Sequence, residues 1–94
     1  MKTIYKYTLE LTNRQTIQVP VGAETLHVGI QRGQICVWIL IDLNPDVQDV
    51  EMENKVFHIF GTGNPTTKEL EDKRYIGTVQ LDDYVWHIFE EELI

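Results

Sequence analysis

The sequence predicts an all-β domain of about seven mostly antiparallel strands, a small sandwich or open barrel with little or no helix. Three observations carry that expectation. Apolar residues recur with a period of two along most of the chain. Turn residues punctuate it every eight to twelve positions. The most apolar run, Gln34 to Asp42, is built on β-branched Ile35, Val37, Ile39 and Ile41, which favour a strand over a helix of equal length.

Thr3 to Leu11 alternates, with Tyr5, Tyr7, Leu9 and Leu11 on one side and Ile4, Lys6, Thr8 and Glu10 on the other, which predicts a strand with one wet face. Thr12-Asn13-Arg14 is a turn cluster, and Thr16 to Val19 resumes extended structure until Pro20, which cannot donate to a ladder and marks an edge strand. Thr25 to Asp42 then reads as a hairpin joined at Arg32-Gly33. On its first arm Leu26, Val28 and Ile30 share a face, opposite His27, Gly29 and Gln31. Its second arm is apolar on both faces, so a central position with a covering layer on each side is expected.

After Asp42, Leu43-Asn44-Pro45-Asp46 is turn chemistry, and Asp46 to Asn54 is an acidic loop that becomes strand near Met52. Lys55 to Phe60 is a strand with Phe57 and Ile59 opposite Val56, His58 and Phe60. Gly61-Thr62-Gly63-Asn64-Pro65 breaks it, and the polar Thr66 to Lys73 reads as loop, with a helical turn expected around Lys68 to Asp72. Arg74 to Leu81 and Tyr84 to Phe89 form a last pair across Asp82-Asp83. Tyr84 to Phe89 also looks covered on both faces, and Glu90-Glu91-Glu92 ends the apolar pattern.

Ninety-four residues make one domain. No apolar run approaches the roughly 18 residues of a membrane span, and the lysine-interrupted opening is not read as a signal peptide. A net charge of −7 disfavours nucleic acid and anionic membrane surfaces, both of which need basic faces, and favours solubility or a basic protein partner. The single Cys36 excludes an internal disulfide and, among Ile, Val and Leu, reads as packing rather than as a nucleophile.

Catalytic constellations are absent: the chain contains no serine, and its paired carboxylates fall in solvated loops. The expectation is therefore a protein that is not an enzyme and uses no cofactor. His27, His58 and His87 lie in three strands without a His-x-His pair, so no metal site is assigned; His58 and His87 occupy matching places in two similar runs, which suggests a shared sheet face. Gly61, Thr62, Gly63 and Asn64 form the most informative loop. Glycines there let backbone N–H groups converge on an anion, although neither a P-loop nor a dinucleotide fingerprint is present, and a plain strand exit needs the same residues. Arg32 at the hairpin tip and Arg74 before the sixth strand are the cations best placed to fork onto a phosphate, and Tyr75 is an aromatic that could stack a base.

The phrases Met1-Lys-Thr-Ile-Tyr-Lys-Tyr, Gln15-Thr-Ile, Leu26-x-Val-x-x-Gln31-x-Gly33, Trp38, Gly61-Thr-Gly-x-Pro65, Tyr75-Ile-Gly-Thr-Val-Gln80 and His87-Ile-Phe-Glu90 occur together and in order. In this the chain resembles a family of small phage and prophage proteins, with Val85-Trp86 in place of a common Val-Phe pair and a more acidic Asp46 to Asn54. The resemblance implies no catalytic set. It implies a phage origin and the cytoplasm of an infected bacterium as the compartment. From it follow three expectations of function. The first is sequestration of a small nucleotide-derived immune signal by Arg32, Gly61 to Asn64, Arg74 and Tyr75, in a pocket of a homo-oligomer. The second is inhibition of a basic host protein by the carboxylates of Asp42 to Glu53 and Glu90 to Glu92. The third is a virion or assembly role through sheet edges.

Overall fold

The computed structural model describes residues 1–46, 48–64 and 70–92. Seven strands run in order: β1 (Lys2–Leu9), β2 (Arg14–Pro20), β3 (Glu24–Gln31), β4 (Gln34–Asp42), β5 (Met52–Gly61), β6 (Lys73–Leu81) and β7 (Tyr84–Glu91). Every ladder is antiparallel, and the strands form two sheets, β1-β4-β3 and β2-β5-β7-β6. The all-β expectation is met by two stacked layers, and β2, which ends at Pro20, is an edge as the proline requires. Among the described residues no helix is long and apolar enough to cross a membrane.

The core lies between the sheets. Ile35, Val37, Ile39 and Ile41 of β4 point into it and meet Val19, Phe57, Ile59, Val79 and Ile88 of the second sheet, all almost wholly shielded from water. Arg32 and Gly33 take φ of 53° and 73°, the pair of left-handed conformations that closes a two-residue hairpin between β3 and β4. Edge strands β3 and β6 of different sheets run so close that a Cβ on Gly77 would lie 2.6 Å from Val28 Cγ1.

Four departures from the sequence reading have physical causes. β4 is central and its inner face is enclosed, but its outer face has no covering layer. The molecule is only 16 Å thin along its shortest axis, two layers deep, and Trp38 and Leu40 are half-buried on the outside. Cys36 is shielded there by its own neighbours: it sits between Thr8 and Gly29, and Lys6 reaches over β4 to hydrogen-bond Gln31. Second, a bulge between Thr25 and His27 sets two residues of β3 against one of β4, so Leu26 joins His27 on the outer face instead of sharing the core with Val28. Third, β1 stops at Leu9, because the Gln15 side chain accepts from Glu10 N (2.9 Å) and donates to Glu10 O (2.6 Å), closing the turn and leaving Leu11 exposed. Fourth, β7 continues through Glu91, since Glu90 and Glu91 both find partners across the sheet. The helical turn expected around Lys68 to Asp72 lies partly outside the described residues.

Candidate functional site

The outer face of the four-stranded sheet collects aromatic and hydrogen-bonding side chains that strand alternation and register force together. β5 contributes His58 and Phe60, β7 contributes His87 and Phe89, and β6 contributes Tyr75 and Thr78. The register pairs His58 with Phe89, Phe60 with His87, Tyr75 with Phe89 and Thr78 with His87. His58 and His87 therefore share one sheet face, while His27 lies on the other sheet, so the three histidines cannot meet at one metal.

Phe89 is the hub. Its ring meets Phe60 edge-on at 5.8 Å and Tyr75 at 5.3 Å, distances at which aromatic pairs attract. His87 is held at both nitrogens, Nε2 to the Thr62 hydroxyl at 2.8 Å and Nδ1 to the Thr78 hydroxyl at 3.0 Å. Thr78 is in turn hydrogen-bonded to the Tyr75 hydroxyl at 2.5 Å. The imidazole is thus held at both ring nitrogens within a chain of hydroxyl groups. Beside it, a shallow cavity of about 230 Å³ is lined by Phe60, the Gly61 to Asn64 turn, Leu70, His87 and Phe89.

The Gly61 to Asn64 segment is a turn whose N–H groups are largely spent. Thr62 N donates to Val85 O at 3.1 Å and Asn64 N to Gly61 O at 3.1 Å, and Gly63 at φ 89° supplies the conformation that only glycine adopts freely. Gly61 itself leaves room for Trp86 and Asn64, each of which would lie 3.2 Å from a Cβ at that position. Among the described residues of this loop, the amides of Thr62 and Asn64 are committed within the fold.

Of the seven residues singled out in the sequence, the fold brings five to this face: Gly61, Thr62, Gly63, Asn64 and Tyr75. The two arginines lie elsewhere. Arg74 precedes Tyr75 in one strand and so points through the sheet to the opposite side, where its guanidinium donates to Thr25 O at 3.5 Å. Arg32 sits exposed at the tip of the β3–β4 hairpin. The shared His-Ile-Phe of two strands, which become neighbours in the sheet, pointed to His58 and His87 on one face and could have pointed to Phe60 and Phe89; nothing in the sequence signalled Thr78.

Arg74 belongs to a second feature, an open cleft of about 430 Å³ at one end of the sandwich, lined also by Glu24, Glu53, Lys55 and Glu90. There Lys55 Nζ meets Glu90 Oε2 at 3.1 Å, with side chains only 10% and 12% exposed, and the Thr25 hydroxyl donates to the other Glu90 oxygen. On the outer face the next carboxylate, Glu91, takes His58 Nε2 at 2.8 Å and Arg14 Nε at 3.4 Å. The hydrogen bond from His58 holds Glu91 below the ordinary carboxylate range, burial opposes this, and the Arg14 charge reinforces it. A carboxylate with a lowered folded-state pKa stabilises the fold at pH values above the unfolded value of about 4.3, and that stabilisation disappears as pH falls through the folded pKa. Acid unfolding monitored by tryptophan fluorescence should therefore begin at a higher pH in Glu91→Gln, whose stability should vary less with pH below about 4.3.

The acidic segment is only partly a free lattice of carboxylates. Asp42 Oδ1 accepts from the N-terminal amine at 3.2 Å, the Asn44 side chain accepts from Asp46 N at 3.0 Å, and Glu53 accepts from Gly22 N at 3.2 Å. Asp46, Asp49 and Glu51 are exposed, and Val47 lies outside the described residues.

Residues 1–93 match the profile of a domain of unknown function, DUF7352. No curated protein and no solved structure matches the chain.

Proposed function

The chain belongs to the DUF7352 family, a domain of unknown function, and from its sequence resemblance and the geometry of its outer sheet face we propose that it is a non-enzymatic binding protein of phage or prophage origin. It acts in the cytoplasm of the infected host, against host defence, by sequestering a small nucleotide-derived signal on the aromatic face of the four-stranded sheet. The observation that carries this reading is Tyr75: its ring is 55% exposed yet braced by Phe89 and by the Thr78–His87 hydrogen bonds. A rigid exposed ring beside a shallow cavity is a platform for a planar base, because stacking on a pre-ordered ring costs little conformational entropy. Asn64 at the cavity rim supplies donors and an acceptor for a base edge.

With Arg32 and Arg74 remote from this platform, recognition rests on the base more than on phosphate, and binding should depend weakly on salt. A panel of cyclic nucleotides and ADP-ribose derivatives is expected to raise the melting temperature with at least one member. Tyr75→Ala and Asn64→Ala should abolish that shift, and Arg74→Ala should leave it intact. A flat response across the panel would overturn the reading.

The acidic inhibitor of a basic host protein is the second reading, and exposed Asp46, Asp49 and Glu51 support it. Glu90 and Glu91 do not contribute, being engaged within the fold.

A further inference from the structure

We propose that the outer face of the β1-β4-β3 sheet is a self-association surface, and that its occupant is a second copy of this chain packed face to face. The face is the uncovered side of the most apolar strand. Trp38 and Leu40 lie half-buried at its centre, Ile4 beside Leu40 is 53% exposed, and the β3 bulge turns Leu26, 46% exposed, onto the same side. The bulge sets Leu26 beside His27 opposite Trp38, so the face carries a large side chain that no part of the described chain covers.

The charges say what fits. β1 carries Lys2 on one margin, aligned with Asp42, while β3 carries Glu24 on the other margin, aligned with Leu40; Lys6 is turned across β4 to Gln31. A two-fold axis along β4 would lay β1 of one copy over β3 of the other. Glu24 of each copy then lies opposite Ile4 and next to Lys2 of its mate, twice over, as an isologous interface requires. Asp42 is already engaged by the N-terminal amine. On a chain of net charge −7 this face is locally balanced, so a second copy meets apolar surface and opposite charge rather than the acidity found elsewhere.

Size sets the strength. Three strands at about 4.8 Å spacing and about eight residues at about 3.3 Å cover on the order of 400 Å² per copy. That places the pair at the low end of specific interfaces, where weak, reversible dimers lie. A monomer–dimer equilibrium in the micromolar range or weaker is expected.

Sedimentation equilibrium of the full chain over a wide concentration range tests this. The expected result is a concentration-dependent dimer that Ile4→Glu abolishes, with the melting temperature of the monomer retained because Ile4 sits on an exposed edge strand. Lys2→Glu and Glu24→Lys should each weaken association by about tenfold or more, and the double reversal should recover most of the loss, since it restores opposite charges across the axis. Monomer at every concentration overturns the proposal and leaves the face to a different partner. A dimer indifferent to Ile4→Glu and to both reversals also overturns it, by locating the contact on another surface.

Discussion

Lys55→Met is expected to lower the unfolding free energy by about 3 kcal/mol, a large effect for one surface-adjacent residue in a small domain. The reason is the carboxylate left behind. Glu90 is only 12% exposed, and with Lys55 gone it keeps the Thr25 hydroxyl as its direct partner. A buried charge that has lost its direct counter-ion bears most of its desolvation cost, and Arg74, across the strand in the same cleft, offsets only part of it. The pair itself contributes much less than that figure, because bringing both ions out of water offsets most of their attraction. Lys55→Met combined with Glu90→Leu should therefore recover most of the lost stability. Urea unfolding of the two singles and the double completes the cycle. A single substitution costing under about 0.5 kcal/mol would mean that the pair is solvated and structurally idle.

Gly77→Ala should cost about 1–3 kcal/mol although it adds a single carbon. That carbon would stand 2.6 Å from Cγ1 of Val28, a short, β-branched and almost completely buried side chain with no rotamer to retreat into. The bulge at Tyr75 to Gly77 and the bare Cα of Gly77 together allow β6 to approach β3, and that approach closes one flank of the sandwich. Val28→Ala removes the obstructing methyl groups and by itself leaves a cavity. In the double variant the new methyl occupies part of that cavity, so the two losses should add to less than their sum. Thermal or urea melts of the three variants decide it. Strict additivity would show that β3 and β6 can separate without penalty.

Much of this architecture was legible from alternation alone. The β4 run, the Arg32-Gly33 turn and the edge position marked by Pro20 each follow from local rules that the fold obeys. Leu26 was misplaced because a bulge inserts one residue out of phase, and periodicity carries no sign of an insertion that the partner strand decides. Glu90 and Glu91 looked like an ending because like charges in sequence repel; in the sheet they point to opposite faces, where Glu90 meets Lys55 and Glu91 meets Arg14. The candidate site was half legible. Tyr75 and the Gly61 to Asn64 turn meet on one face across β7, a pairing of strands distant in sequence. The separation of Arg74 from Tyr75 was, by contrast, available from the letters: adjacent residues of a strand serve opposite faces, so both could not line one pocket.

Cys36 gives the protein a built-in clock. As the sole thiol, shielded on an otherwise bare face by Thr8, Gly29 and the arch of Lys6, it can be alkylated when that arch swings aside or when β1 or β3 lifts away from β4. The speed of its labelling then times the local opening of this face, separately from global melting. If labelling keeps pace with complete denaturation, the three-stranded sheet opens all at once; if it runs faster, and equally fast in Lys6→Ala, an edge frays on its own.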